Sequence, residues 1–193
     1  MNNKIMHLGT ISLLALASAY SMAADVSQDI KSCVACHGPD GVSQKPDMPT
    51  IGGISEFSHA DALYAYKDGD RACQPPPMMC SIAKGLSDEQ IKAIAAYFAE
   101  KPFVAAKQKT DPGKAALGKE IHERDCEGCH SEGGSNPGDD ASILAGQWMA
   151  YLELALKEYA AGKRAQPEAM EAAIKELGDA DLEALAHYYG SQQ

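Results

Sequence analysis

The sequence predicts an all-α fold built as two tandem copies of one small helical domain. Three observations carry that expectation. A segment opening at Cys33 recurs at Cys126, and the offset of 93 residues persists well beyond it: Asp47 matches Asp140, Gly53 matches Gly146, Ala62 matches Ala155. Tyr66, Gly69 and Arg71 likewise match Tyr159, Gly162 and Arg164. Self-similarity of this kind decides architecture before any local reading. Apolar residues recur at helical spacing, and no stretch alternates as a strand would. Finally, 193 residues with 45% hydrophobic and 23% charged content are ordinary globular composition, enough for two small domains.

The first 23 residues stand apart. A basic start with Lys4 precedes a mostly apolar run from Leu8 to Tyr20, and Ser21 and Ala23 supply small residues at a cleavage site. That is the pattern of a signal peptide, and the run is too short to span a bilayer comfortably. The expected location is therefore the periplasm, where disulfides persist. The segment holds one Lys and no acid, so removing it takes the net charge from −10 to −10 − 1 = −11. Such an acidic chain is a poor candidate for a nucleic-acid partner.

The expected domains are 24–103 and 104–193, with a linker from Lys101 to Gly113 marked by prolines and a turn signal. Copy one reads as a short helix from Val26 to Cys33, a Gly/Pro/Asp-rich loop from Gly38 to Gly53 and a middle helix over 58–68 ended by Gly69. Its last helix opens at Ser87-Asp88-Glu89-Gln90, a capping-box pattern, and continues through Ile91, Ile94, Ala95 and Phe98. Copy two reads as a helix from Lys114 to Cys126, a loop from Ser131 to Gly146 and a middle helix over 147–161 ended by Gly162. In its last helix Gly178 replaces the capping serine, so Asp179 is the expected cap, followed by Leu182, Leu185 and Tyr189.

The chemistry lies in two motifs, Cys33-Val34-Ala35-Cys36-His37 and Cys126-Glu127-Gly128-Cys129-His130. Cys-x-x-Cys-His is the attachment signal of c-type haem. Two thiols three positions apart add to the two vinyl groups on one porphyrin edge, and the adjacent His becomes the proximal iron ligand. A disulfide-forming dithiol has no reason to carry His after the second Cys twice, and a zinc site needs further ligands at their own spacing. The expected cofactors are two haem c groups. They also account for the scarcity of aromatic residues, 3 Phe, 1 Trp and 8 Tyr in the whole chain, because two covalently held porphyrins supply the missing apolar bulk.

The repeat also selects the sixth ligands. Met79 lies seven residues before Leu86 and Met170 seven before Leu177, a match that Met78 does not share. A thioether opposite His raises the haem potential relative to bis-His ligation. Met48 and Met149 lie at unmatched positions and read as packing.

With these residues in place, both halves resemble class I cytochromes c, and the whole chain resembles their two-domain dihaem members. The linker and second half are similar to the cytochrome subunit of flavocytochrome c sulfide dehydrogenase. The similar stretches are Lys101 to Lys107, Cys126 to Gly134, Ile143 to Trp148 with Tyr151 and Leu152, Tyr188 to Gln193 and, in the first half, Ile82 to Gly85. Free dihaem carriers share part of this pattern. The resemblance implies that Cys33, Cys36, His37 and Met79 hold one haem and that Cys126, Cys129, His130 and Met170 hold the other. It also implies an FAD-containing flavoprotein subunit that oxidises sulfide and hands electrons over singly, with other redox proteins as acceptors.

Cys73 and Cys80 remain. In an oxidising compartment they are expected to form a disulfide around the Met79 loop; the alternative is that Cys80 replaces Met79 as a thiolate ligand. His59, His122 and His187 read as packing or surface residues, Trp148 and Tyr151 as haem-packing or interface residues. Arg71 and Arg164 could meet haem propionates or cap the middle helices. No catalytic residue is assigned, and three functions stand side by side. They are a subunit docked to a flavoprotein, a free carrier between respiratory complexes and a dihaem enzyme with chemistry at a haem; a methionine on each iron counts against the last.

Overall fold

A computed structural model describes residues 26–73 and 75–192. The signal segment expected over residues 1–23 lies outside them.

The first helix, α1 (Ser27–His37), runs through the whole first motif, four residues further than its sequence suggested. It ends where Gly38 adopts a positive φ. The middle helix α2 (Glu56–Asp68) begins earlier than expected because the Ser55 hydroxyl accepts the Ser58 N–H at 3.2 Å, and it closes on left-handed Gly69. Two helices then follow: α3 (Met78–Lys84), which the sequence did not suggest, and α4 (Asp88–Ala99), opened by the expected Ser87/Gln90 capping box. Helix α2 packs on both, and Leu63, Leu86, Ile91, Ile94 and Phe98 form one buried core.

The second half repeats this plan. Asp111 caps α5 (Pro112–Ile121), which passes into a π-helical turn over His122–Cys126 closed by the bond from Glu127 N–H to the His122 carbonyl. A single irregular turn, α6 (Ser131–Gly134), in which Glu132, Gly133 and Gly134 take positive φ, follows the second motif. Next come α7 (Met149–Ala160), α8 (Glu168–Lys175) and α9 (Asp179–Gly190). The cap of α9 corrects the expectation for Asp179. Gly178 is the N-cap, and the Asp181 carboxylate reaches back to its N–H at 2.9 Å. Helix α9 packs on α5 and α7, and Ile121, Leu152, Ala184, Leu185, Ala186 and Tyr189 form a second core. A Cβ on Gly118 would lie 2.1 Å from the Ala184 carbonyl oxygen, so only glycine permits the α5–α9 crossing.

The repeat is reproduced bond for bond after each motif. Ile51 and Gly52 donate to the Gly41 carbonyl, as Leu144 and Ala145 donate to that of Gly134. Gly53 then donates to Phe98 and Gly146 to Tyr189, both with φ near +75°, which side-chain-bearing residues rarely adopt. These contacts fasten each motif loop to the last helix of its copy.

Among the described residues no strand forms. An isolated antiparallel bridge between Arg71 and Arg164 joins the halves, with Ala72 N–H to Lys163 O at 2.9 Å and Ala165 N–H to Asp70 O at 2.8 Å. No described helix is long and apolar enough to cross a membrane.

Candidate functional site

In the first half a cavity of about 370 Å³ gathers the residues of the first motif and the predicted ligand loop. Cys33, Cys36, His37 and Met79 all line it, together with the aliphatic residues Ile51, Ile54, Leu63, Ile82, Leu86 and Ile94. His37 is buried, and its Nδ1 lies 2.9 Å from the Pro49 carbonyl, which fixes the ring and leaves Nε2 for a metal. Burial holds this imidazole below its ordinary pKa, in the neutral form that ligates iron. Met79 packs against the core, whereas Met78 is exposed. Both methionines line the cavity, Met79 from the core side and Met78 from its exposed rim.

The second motif is built differently. The π-helical turn delivers Cys126, whose carbonyl accepts both the Cys129 and His130 N–H groups. Cys126 packs against the second core, while Cys129 is exposed. The chain carrying Met170 is brought to this motif because α8 packs on the turn. His130 Nδ1 is buried with no partner among the described residues. Its repeat equivalent bonds to Pro49, and the position matching Pro49 is Ser142.

All four motif thiols are unpaired, whereas Cys73 and Cys80 are joined in a disulfide. Burial pushes the Cys33 thiol up to about 11 and that of Cys126 upward too, so neither is poised as a thiolate. With both sulfurs of the other pair joined, Cys80 has no thiol to offer an iron.

Between the halves lies a polar cluster centred on buried Arg71 and Glu158. Arg71 stacks over Tyr66 and Arg164 over Tyr159, each at 4.4 Å from the ring centroid. Tyr151 sits between the two guanidiniums and bonds to both. Glu158 lies 3.5 Å from Arg71 and is the one carboxylate paired with either arginine, and Arg71 Nε has no partner among the described residues. One buried and one half-buried cation against one buried anion leave room for a further negative group. Tyr66, Arg71, Tyr151, Glu158 and Arg164 also line the cavity. Haem c is an apolar disc with two thioether links, an iron and two carboxylates on one edge. This cavity offers thiols, an imidazole, a thioether, aliphatic walls and a cationic end, so it fits that group.

Comparison with known proteins agrees. The family model described as "Cytochrome c" matches residues 24–100, and "Cytochrome C oxidase, cbb3-type, subunit III" matches residues 113–188. Cytochrome c-554(548) of Halomonas halodenitrificans is 42% identical over 76 residues, covering 39% of this chain and 92% of the relative. The chain belongs to the cytochrome c family. The "Thiosulfate dehydrogenase electron acceptor" of Thiomonas intermedia is 28% identical over 201 residues, covering 98% of this chain and 91% of that one. Reduced recombinant cytochrome c4 from Pseudomonas stutzeri superposes with a TM-score of 0.73 at 27% identity, covering 86% of this chain and 96% of that one. This cytochrome is therefore a dihaem electron carrier with two class I domains and two covalently bound haem c groups.

Of the two readings open for His122 and His59 the structure shows packing, while their partners and the reach of Gln147 escaped sequence reasoning. His122 is fully buried, with Nδ1 2.9 Å from the Tyr189 hydroxyl and Nε2 bonded to Glu127; it holds the π-helical turn against α9. His59 is buried too, stacked on Phe98. Gln147 reaches across the halves: it accepts the Thr50 N–H and donates to the Thr50 carbonyl, both at 2.9 Å. Beside it Trp148 Nε1 donates to the Ser43 carbonyl at 3.1 Å. The matched Tyr and Arg pairs were visible in the sequence, but their meeting across the halves was not readable from spacing.

Proposed function

We propose that this cytochrome is a periplasmic acceptor of single electrons from a dehydrogenase that oxidises a reduced sulfur compound. Cys33, Cys36, His37 and Met79 hold one haem; Cys126, Cys129, His130 and Met170 hold the other, within domains 24–103 and 104–193. Bound haem c supplies a one-electron Fe(III)/Fe(II) couple. The observation that carries the carrier role is the shared wall: Tyr151, Glu158 and Arg164 of the second half line the cavity of the first. Both haem domains are thereby locked into one unit.

The protein's own residues set the conditions. The Pro49 carbonyl orients His37, the aliphatic walls exclude water, and Arg71 and Arg164 would supply the positive charge for the propionates of a bound haem. The net charge of −10 favours encounter with a basic surface on the donor.

Two lines support a sulfur donor. The linker and second-half stretches are similar to the cytochrome subunit of flavocytochrome c sulfide dehydrogenase, and a relative along nearly the whole chain is named a thiosulfate dehydrogenase electron acceptor. A second reading, a free carrier between respiratory complexes, is favoured by the likeness to cytochrome c4. Rapid mixing of the oxidised cytochrome with a thiosulfate dehydrogenase and thiosulfate, or with a sulfide-oxidising flavoprotein and sulfide, separates them. Reduction of both haems by either enzyme at a rate that falls as salt rises is the expected result. No reduction by either, with ready exchange with a respiratory complex, would establish the free carrier.

A further inference from the structure

We propose that the Cys73–Cys80 disulfide is the positioning element for Met79, so that ligation at the first haem alone depends on a sulfur–sulfur bond. The inference rests on Met79 being the sixth ligand there. It starts from a difference between the copies. Eight positions separate Arg71 from Met79 but six separate Arg164 from Met170, so the first ligand loop is two residues longer. Pro75, Pro76 and Pro77 fill that loop and have no N–H to donate.

The anchoring differs accordingly. In the second copy the Gln166 side chain donates to the Tyr159 carbonyl at 3.2 Å, and Ala165 N–H bonds to Asp70 across the halves. These bonds pin the short loop before α8. In the first copy the described hydrogen bonds after Cys73 stay inside the loop and its helix: Met78 N–H to the Pro76 carbonyl and Ser81 N–H to that of Pro77. Pro77, the N-cap of α3, gives no side-chain cap.

The disulfide supplies what is missing. Cys73 follows Ala72, which is bonded to Lys163 of the other half, and Cys80 sits in the first turn of α3 beside Met79. Cys80 N–H also donates to Cys73 Sγ at 3.0 Å. Both Cys73 and Met79 line the first cavity. The bond thus ties the turn that carries the thioether to the bridge between the halves. Reduction by a dithiol takes two electrons and two protons to give two cysteine thiols, while the reagent becomes its own cyclic disulfide. The loop is then joined to the bridge only by its proline-rich backbone, α3 is held by its packing on α2 alone, and Met79 is free to leave the iron.

The holoprotein tests this in two ways. One sample is the Cys73→Ala/Cys80→Ala double variant. The other is parent protein reduced with dithiothreitol, alkylated with iodoacetamide, freed of reagent and reoxidised with ferricyanide. The readouts are the far-red methionine-to-ferric-iron band and carbon monoxide binding to the ferrous form. Intact protein is expected to show the band at both haems and to exclude carbon monoxide. In the cleaved protein the band halves, one carbon monoxide binds per chain, and one midpoint potential falls while the other stays. A band retained at both haems after cleavage overturns the positioning role. An intact protein with the band at one haem only overturns the assignment of Met79 itself, and the proposal with it.

Discussion

Replacing Gln147 with isoleucine removes a side chain that bonds to both main-chain groups of a residue in the other half. An aliphatic residue is tolerated by this backbone, because the repeat counterpart is buried Ile54. The loss is therefore one of hydrogen bonds more than of shape. Gln147 is 2% exposed and Thr50 1%, so the freed N–H and C=O of Thr50 cannot turn to water. Each buried group left unpaired costs about 1–3 kcal/mol, which gives about 2–6 kcal/mol for the pair. Part of this falls on docking of the halves, since Thr50 and Gln147 lie 97 residues apart. Guanidinium unfolding followed by circular dichroism and by haem absorbance should show a lower midpoint and a transition that broadens or splits. A variant within about 0.5 kcal/mol of the parent, unfolding in one unchanged step, would refute the reasoning.

Two further outcomes follow from the packing. Gly118→Ala sets a methyl 2.1 Å from the Ala184 carbonyl oxygen and forces α5 from α9, which should destabilise the second domain by about 1–3 kcal/mol in thermal unfolding. An unchanged melting temperature would show that the helices already separate freely. His59 is held down to about 4, first by burial and then by His37, so folding favours its neutral form. Its contribution is full above pH 6.5 and is lost as the pH falls towards about 4, a span of roughly 3 kcal/mol. His59→Phe should flatten that acid limb in stability measured from pH 7 to 4; an unaltered limb would assign it to other groups.

Much of the architecture was legible because it repeats. The constant offset exposed both motifs, both sixth-ligand candidates and the matched Tyr and Arg pairs. Local chemistry also read well: the Ser87/Gln90 box and the glycine ends of the middle helices form as their residues dictate. What was not legible depends on contacts between distant segments. Helix α3 has no cap and is formed against α2, so its short sequence carried no start signal. His122 reads as either a packing or a surface residue, and the π-helical turn that sets it against Tyr189 decides between them. Gln147 and Tyr151 read as parts of one domain, yet each acts across to the other. Several stretches that suggested a flavoprotein partner, Ile143 to Trp148 and Tyr189 among them, are packed inside this chain and so speak to its own core.

On the proposed function each half carries one haem through both thiols of its motif. Mass spectrometry of proteolysed holoprotein tests it directly. The peptides containing Cys33–His37 and Cys126–His130 should each carry one haem, with neither thiol open to alkylation. Either peptide recovered with free thiols, or with its two cysteines joined to each other, would contradict the account.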